Sequence, residues 1–398
     1  MEEIRLDTFC DSVRDGTHDT PKPVKEGCYL VTSKAIKNNT VYLDECYYIS
    51  QEDYDKINKR SLVEKWDVLM TMIGSVGRLL LVKEQPNYAI KNIALFKLGD
   101  ELKAKWLYYY LSNPSVQNYF ESIASGTSQH FIGLGHLRRL KIDNLHSSSN
   151  KIVSILSAYD NLIENNNKRI RLLEQMAENL YKEWFVRFRF PGHDKAEFEN
   201  GLPKGWVVKR MSDFCDVTDG THDTPKPVDD GVPLITGKCI SNGFIDYNEA
   251  YSISLEDHEK IKKRSGLSTG DILFSNIGTV GNCCIVDYDR EFSVKNVIIF
   301  KPNDIIKTAY LYYWMMSDSM QNVFSTQTNG ASQQFVGLTF MRRYKILVPE
   351  QELLTSFGER VNPIIDQKRY LHRINQTLSR QRDLLLPRLM SGKLEVKV

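Results

Sequence analysis

The run Asp15-Gly16-Thr17-His18-Asp19-Thr20-Pro21-Lys22-Pro23-Val24 packs hydroxyl, imidazole, carboxylate and ammonium groups into one short segment. A His beside an Asp suggests half of a catalytic dyad, yet no nucleophile pattern and no metal-ligand spacing accompanies His18-Asp19 or the later His222-Asp223. As a binding loop the segment makes better sense. Gly16 permits a tight turn, Pro21 and Pro23 limit flexibility before binding, and Thr17, His18, Thr20 and Lys22 offer hydrogen bonds to bases or phosphates. The competing explanation is an Asx turn whose side chains are merely solvated.

The same ten residues recur unchanged from Asp219 to Val228, so Thr221, His222, Thr224 and Lys226 form a second set. A shift of about 204 residues relates further segments in one register. Ile73-Gly74-Ser75-Val76-Gly77-Arg78 answers to Ile277-Gly278-Thr279-Val280-Gly281-Asn282, and Lys91-Asn92 to Lys295-Asn296. Ser128-Gln129-His130 answers to Ser332-Gln333-Gln334, and Arg138-Arg139 to Arg342-Arg343. The Gly-x-x-Gly spacing resembles a nucleic-acid clamp, but a plain hairpin turn explains it better. Ser75, Arg78, Thr279 and Asn282 are still candidates because Lys91-Asn92 and Lys295-Asn296 lie near in register. Lys suits phosphate and Asn suits the adenine edge. Ser128, Gln129 and His130, like Ser332, Gln333 and Gln334, read as a turn before a strand bearing the two arginines. That strand either carries phosphate contacts or is a solvated surface strand, and only one arginine of each pair can face a given surface.

Positioning these loops requires two copies of one fold. Each copy mixes short strand-like runs, such as Asp271-Ile272-Leu273-Phe274 and Val297-Ile298-Ile299-Phe300, with helix-like stretches at Leu107–Leu111 and Leu311–Met315. The expected class is α+β. After each domain the period changes to heptads, through Ile152, Leu156, Tyr159, Ile163, Asn166 and Ile170 in the first copy and Leu354, Phe357, Val361, Ile364, Lys368, Leu371 and Asn375 in the second. Two long helices pairing as an antiparallel coiled coil are expected, with Asn166 and Asn375 setting the register; the alternative is that each helix packs on its own domain. The expected order is domain 1–147, helical spacer 148–190, linker 191–206, domain 207–349, spacer 350–392 and tail 393–398.

Composition sets limits. At 398 residues the chain suits two or three domains, and its formal net charge of +2 is modest for a nucleic-acid binder. The seven cysteines form neither a disulfide framework nor a zinc pattern, the start is acidic and polar, and no apolar run reaches a membrane span. A reduced, cytoplasmic protein with no membrane partner is the expectation. Phosphate loop, dinucleotide fingerprint, H-E-x-x-H and the adenine-methyltransferase signature are all missing, so no catalytic residue and no metal site is expected.

Two segments carry a family resemblance: Leu173-Glu174-Gln175-Met176-Ala177-Glu178-Asn179-Leu180-Tyr181-Lys182-Glu183-Trp184-Phe185-Val186-Arg187-Phe188-Arg189-Phe190-Pro191-Gly192, and Leu384-Leu385-Leu386-Pro387-Arg388-Leu389-Met390-Ser391-Gly392. With the duplicated layout, the whole chain resembles the specificity subunits of type I restriction-modification systems. The resemblance implies a non-catalytic subunit that reads a bipartite, gapped target in double-stranded DNA. It further implies two modification (methyltransferase) subunits that use S-adenosylmethionine, and restriction subunits, recruited through them, that use ATP and magnesium. No cofactor is expected on this chain itself. A seam of roughly 50 Å and half-sites about 10 base pairs apart imply a gap of a few unread base pairs. The two domains are unusually alike for that family, which predicts closely related half-sites in inverted orientation, with Arg78 against Asn282 and His130 against Gln334 leaving room for a difference. A stand-alone bipartite DNA-binding regulator and a coiled-coil scaffold for proteins are the alternatives.

Overall fold

The computed structural model describes residues 2–37, 39–124, 130–287, 290–327 and 335–396. Contacts divide it into two compact units, one formed by Met1–Asn166 with Arg373–Val398 and the other by Asn167–His372. Each unit therefore holds one recognition domain and a part of both long helices.

In the first unit a four-stranded antiparallel sheet has the order Ser12–Asp15, Ile93–Lys97, Val68–Thr71, Leu79–Leu81. Its residues alternate between two buried faces, as a strand's period of two requires. Val68, Met70, Ala94 and Phe96 face the helices, whereas Leu69, Ile93 and Leu95 meet Val31, Ile36 and Ile90. A second sheet pairs Cys28–Val31 antiparallel with Tyr47–Ile49 and parallel with Tyr88–Ile90. The helix Gln51–Ser61 starts where Ser50 accepts a hydrogen bond from the Asp53 amide at 3.1 Å, and Asp100 caps Glu101–Ser112 in the same way at 2.8 Å.

The second unit repeats this plan: Asp216–Asp219, Val297–Lys301, Ile272–Ser275 and Cys283–Ile285 form its four-stranded sheet. Asp219 stands opposite Ile298 as Asp15 stands opposite Ala94, so the sequence register is also the structural register. The α+β expectation holds in both copies.

The long helices span Ser149–Tyr181 and Gln351–Met390, about 50 and 60 Å at 1.5 Å per residue. A π-helical turn, Lys182–Val186, continues the first. Within the first unit the helices run antiparallel: Asp160 pairs with Arg382 at 2.6 Å, and two turns on, the buried Asn166 amide donates to Asn375 at 2.9 Å. Within the second unit Glu174 contacts the buried Lys368, continuing the same order. Burial, helped by neighbouring Arg369, pushes the Lys368 ammonium down to about 7, and the adjoining Glu174 carboxylate works against that shift.

Pairing and packing on a domain are not alternatives here. Ile152, Val153 and Leu156 of the first helix share one buried cluster with Leu386, Leu389 and Met390 of the second and with Leu6, Phe96 and Leu107 of the first domain. The Tyr109 hydroxyl donates to Asp160 at 2.6 Å, linking domain and helix to the Arg382 ion pair. In the second unit Tyr181, Trp184 and Phe185 pack with Phe357, Val361 and Tyr310.

Asn166→Leu alone removes the hydrogen bond that Asn375 Oδ1 accepts inside the seam, an expected cost of about 1–3 kcal/mol. Replacing both by Leu should raise the thermal midpoint to at least the parent's, since a paired seam Asn sets register at the expense of stability. Thermal unfolding of the three chains checks that order.

Candidate nucleic-acid interface

Strand order brings the repeated loops to one end of each four-stranded sheet. In the first domain Asp15 ends one edge strand, Ile93 opens its neighbour and Thr71 ends the next, with Asp15 opposite Ala94 and Thr71 opposite Ile93. The ten-residue loop, the Lys91-Asn92 turn and the Gly74–Gly77 hairpin leave from these strand ends. The second domain does the same with Asp219, Val297 and Ser275.

Thr17 bridges Lys91 in parallel, with the Thr17 amide donating to Ile90 at 3.0 Å and the Asn92 amide donating to Thr17 at 3.1 Å. The Lys91 ammonium then donates to the Thr20 hydroxyl. His18 lies between two partners: Nδ1 is 2.7 Å from Asn92 Oδ1 and Nε2 is 2.9 Å from Asp15 Oδ2. Arg60, from the helix Gln51–Ser61, closes the chain on Asp15 and on the Gly16 carbonyl. The second domain repeats the side-chain links, with His222 to Asn296 at 3.0 Å, His222 to Asp219 at 2.8 Å, Arg264 to Asp219 at 3.0 Å and Lys295 to Thr224 at 2.5 Å. Asn92 and Asn296 sit at φ +55° and +52°, left-handed backbone that Asn tolerates better than most residues.

Several expectations change. Gly16 is needed for close approach rather than for a turn: a Cβ there would lie 2.2 Å from the Ile90 carbonyl oxygen, and one at Gly220 2.3 Å from that of Val294. The turn itself is made by Thr17, whose hydroxyl accepts from the Asp19 amide at 3.1 Å, and Thr221 does the same for Asp223. At 3 % exposure Thr221 is too buried to meet a ligand directly, while His18, Thr20, Lys22, His222, Thr224 and Lys226 are exposed. The Gly-x-x-Gly segments are hairpins with Gly74 at φ +76° and Gly77 at φ +85°, and they expose Ser75 and Thr279 at the tips. Arg78 and Asn282 differ in type but donate to equivalent carbonyls, Ile36 at 3.4 Å and Ile240 at 2.9 Å, so this difference has a shared structural use.

The arginine pairs lie in short helices, Leu134–Arg139 and Leu338–Arg343, and not in strands. Strands begin two residues later, at Lys141 and Lys345, because the Leu140 and Tyr344 amides first close a helical turn. Arg138 donates through Nε and Nη2 to the Val13 carbonyl at 3.2 and 2.9 Å, and Arg342 to Val217 at 2.9 and 2.7 Å. All four arginines are exposed, but the guanidinium groups of Arg138 and Arg342 fasten the helix to an edge strand. His130 is exposed beside the hairpin, its carbonyl accepting from Gly74 at 2.9 Å. Ser128, Gln129, Ser332, Gln333 and Gln334 lie outside the described residues.

Sequence reasoning passed over two features. Arg60 and Arg264 orient the loop carboxylates, and the in-register Lys59-Arg60-Ser61 and Lys263-Arg264-Ser265 were the available signal. Phe131 and Phe335, bridged to Ile73 and Ile277, stay 47 % and 52 % exposed at the same hairpin edge, where an aromatic face suits a base or a thymine methyl. Elsewhere, burial pushes the thiols of Cys10, Cys215 and Cys284 up to about 12, so they are poor nucleophiles. Among the described residues no cluster of His, Cys, Asp and Glu is arranged to hold a metal, and no helix is long and apolar enough to cross a membrane.

A family model for the type I restriction modification DNA specificity domain matches residues 1–175 and again 203–376. The chain belongs to that family. It is 23 % identical over 396 residues to the type I restriction enzyme MjaIX specificity subunit of Methanocaldococcus jannaschii, covering 95 % of this chain and 86 % of that one. The HindI specificity subunit of Haemophilus influenzae is 22 % identical, with 84 % and 88 % covered. The crystal structure of a type I restriction-modification S subunit from M. genitalium superposes with a TM-score of 0.55 at 15 % identity, over 98 % of this chain and 95 % of that one, which shows a shared fold. This specificity subunit thus carries its family domain twice, and each copy builds the same loop network.

Gly16→Ala forces backbone apart and should cost about 1–3 kcal/mol. Gly74→Ala meets no atom within 4 Å and suffers only its positive φ, about 1 kcal/mol. Thermal midpoints of the two variants should fall in that order.

Proposed function

We propose that the chain is the non-catalytic reader of a type I restriction-modification enzyme, recognising a bipartite, gapped duplex target with two closely related, inverted half-sites. One observation carries this reading: the linked set Arg60, Asp15, His18, Asn92, Thr20 and Lys91 recurs at equivalent positions of the second domain with the same bonds. Two surfaces of the same chemistry suit two similar base sequences, and antiparallel pairing of the helices supports the inverted order. Exposed Lys22, Lys226, Arg139 and Arg343 suit phosphate, and the hairpin tips with Phe131 and Phe335 suit the groove.

Two modification subunits would hold the helices from outside, where Leu162, Leu172, Met176, Tyr370 and Leu384 are exposed. Restriction subunits would join through them. S-adenosylmethionine and ATP with magnesium are assigned to those partners, whose reactions require motifs missing from this sequence. Partner subunits that also grip DNA fit the chain's net charge of +2. Work in the cytoplasm fits seven unpaired cysteines.

Co-expression with the modification subunit, followed by mapping of N6-methyladenine across host DNA, tests the proposal. The expected result is one gapped motif with near-identical inverted halves. A stable complex that methylates no gapped motif contradicts it, as does tight, sequence-specific binding by this chain alone, the behaviour of a regulator; absence of any salt-dependent DNA binding would instead indicate a scaffold.

A further inference from the structure

Within the DNA-reading role just proposed, we infer that His18 and His222 are positioning residues that fix the orientation of the Asn92 and Asn296 amides, and that these asparagines select a base whose groove edge presents acceptors without a donor beside them.

The geometry carries this in both domains. Asp15 is held by Arg60, and its carboxylate only accepts, so His18 Nε2 at 2.9 Å donates to it and the ring plane is fixed. Asn92 Oδ1 likewise only accepts, so Nδ1, 2.7 Å away, must donate as well: the ring holds the amide oxygen inward as an imidazolium, with one proton toward Asp15 and one toward Asn92. What remains outward is the amide NH2 group, a donor. An Asn reading adenine needs its oxygen and nitrogen together, one accepting from N6 and one donating to N7. With the oxygen engaged, the outward donor matches guanine O6 and N7 or thymine O4, whereas at adenine the N6 amino donor beside N7 is left without an acceptor.

Position and backbone agree with that role. His18 and His222 have side chains 63 % and 62 % exposed, whereas the carboxylates behind them, Asp15 and Asp219, are 13 % and 17 % exposed. An exposed ring tied on both sides to the same chain orients its neighbour more readily than it reaches a phosphate. The left-handed backbone at Asn92 and Asn296 lifts each residue out of the strand that follows, and such conformations concentrate where a side chain must be aimed. Asn92 and Asn296 are linked to Arg60 and Arg264 through one continuous chain of hydrogen bonds, so the orientation is set before DNA arrives.

The test uses complexes of the full chain with its modification subunits, carrying the parent chain, His18→Ala, Asn92→Ala, both changes, or His18→Gln. Probes are duplexes of the motif methylated by the parent complex, with every single base-pair change in both half-sites, over a range of salt concentrations. His18→Ala and Asn92→Ala are expected to lose a preference of about tenfold for guanine or thymine over adenine at one and the same base pair. The double variant should be no worse than Asn92→Ala, and His18→Gln, which keeps a donor toward Asn92, should restore most of the preference. The unaltered second half-site, read normally, reports that the chain is folded.

Losses that simply add, losses at different base pairs, or an affinity drop shared by all sequences with a salt slope shallower by about one overturn the inference, the last making His18 a phosphate contact. Selection of adenine at the affected base pair overturns the donor assignment. A parent complex without any sequence preference overturns the DNA-reading role itself, a separate failure.

Discussion

Neither recognition domain can close its core with its own residues. Leu386, Leu389 and Met390, at the far end of the chain, share a buried cluster with Leu6 and Phe9 at its beginning. Tyr181, Trp184 and Phe185, which follow the first domain in sequence, are buried in the core of the second. A helix that must reach back across most of the chain to seal another domain has to be long, continuous and correctly registered. The Asp160–Arg382 pair, the Asn166–Asn375 bond and the Glu174–Lys368 contact supply that register with polar groups, which tolerate a shift of partner far less than leucines do.

On this scaffold the reading loops need little structure of their own. They leave from paired strand ends, and their close approach is set by backbone: Gly16 against Ile90, Gly220 against Val294. Side-chain bonds then remove the freedom that remains, so a surface of exposed polar groups is held still before it meets DNA. The arrangement also explains how a nearly neutral chain can be a DNA reader. Its charged groups within the loops are largely paired with one another, and exposed cations such as Lys22 and Arg139 remain to meet phosphate.

Much of this was legible in the sequence because duplication supplies an internal comparison. A constant register across Asp15–Val24, Lys91-Asn92 and Arg138-Arg139 fixed the two-domain plan, and heptads fixed the helices. What could not be read were contacts between segments far apart in sequence. Nothing local tells that Arg60 turns toward Asp15, that Arg138 is committed to the Val13 carbonyl, or that Asn92 offers its nitrogen outward. The Arg138-Arg139 segment misled because alternating residues before an apolar run resemble a strand, whereas Gly133 and the amides that follow close a short helix first. The helix seam misled less: its burial was expected, but its joint packing on two domains depends on tertiary contacts no periodicity records.

Two copies of one reading surface, acting together as proposed, call for a target with inverted halves. Equilibrium affinity of the assembled complex for two duplexes, bearing the same half-site twice at the same gap but inverted in one and direct in the other, tests this most directly. The inverted duplex is expected to bind at least about a hundredfold more tightly, because each mismatched base pair in a misoriented half costs about 1–3 kcal/mol. Equal affinity for the two duplexes would contradict the account.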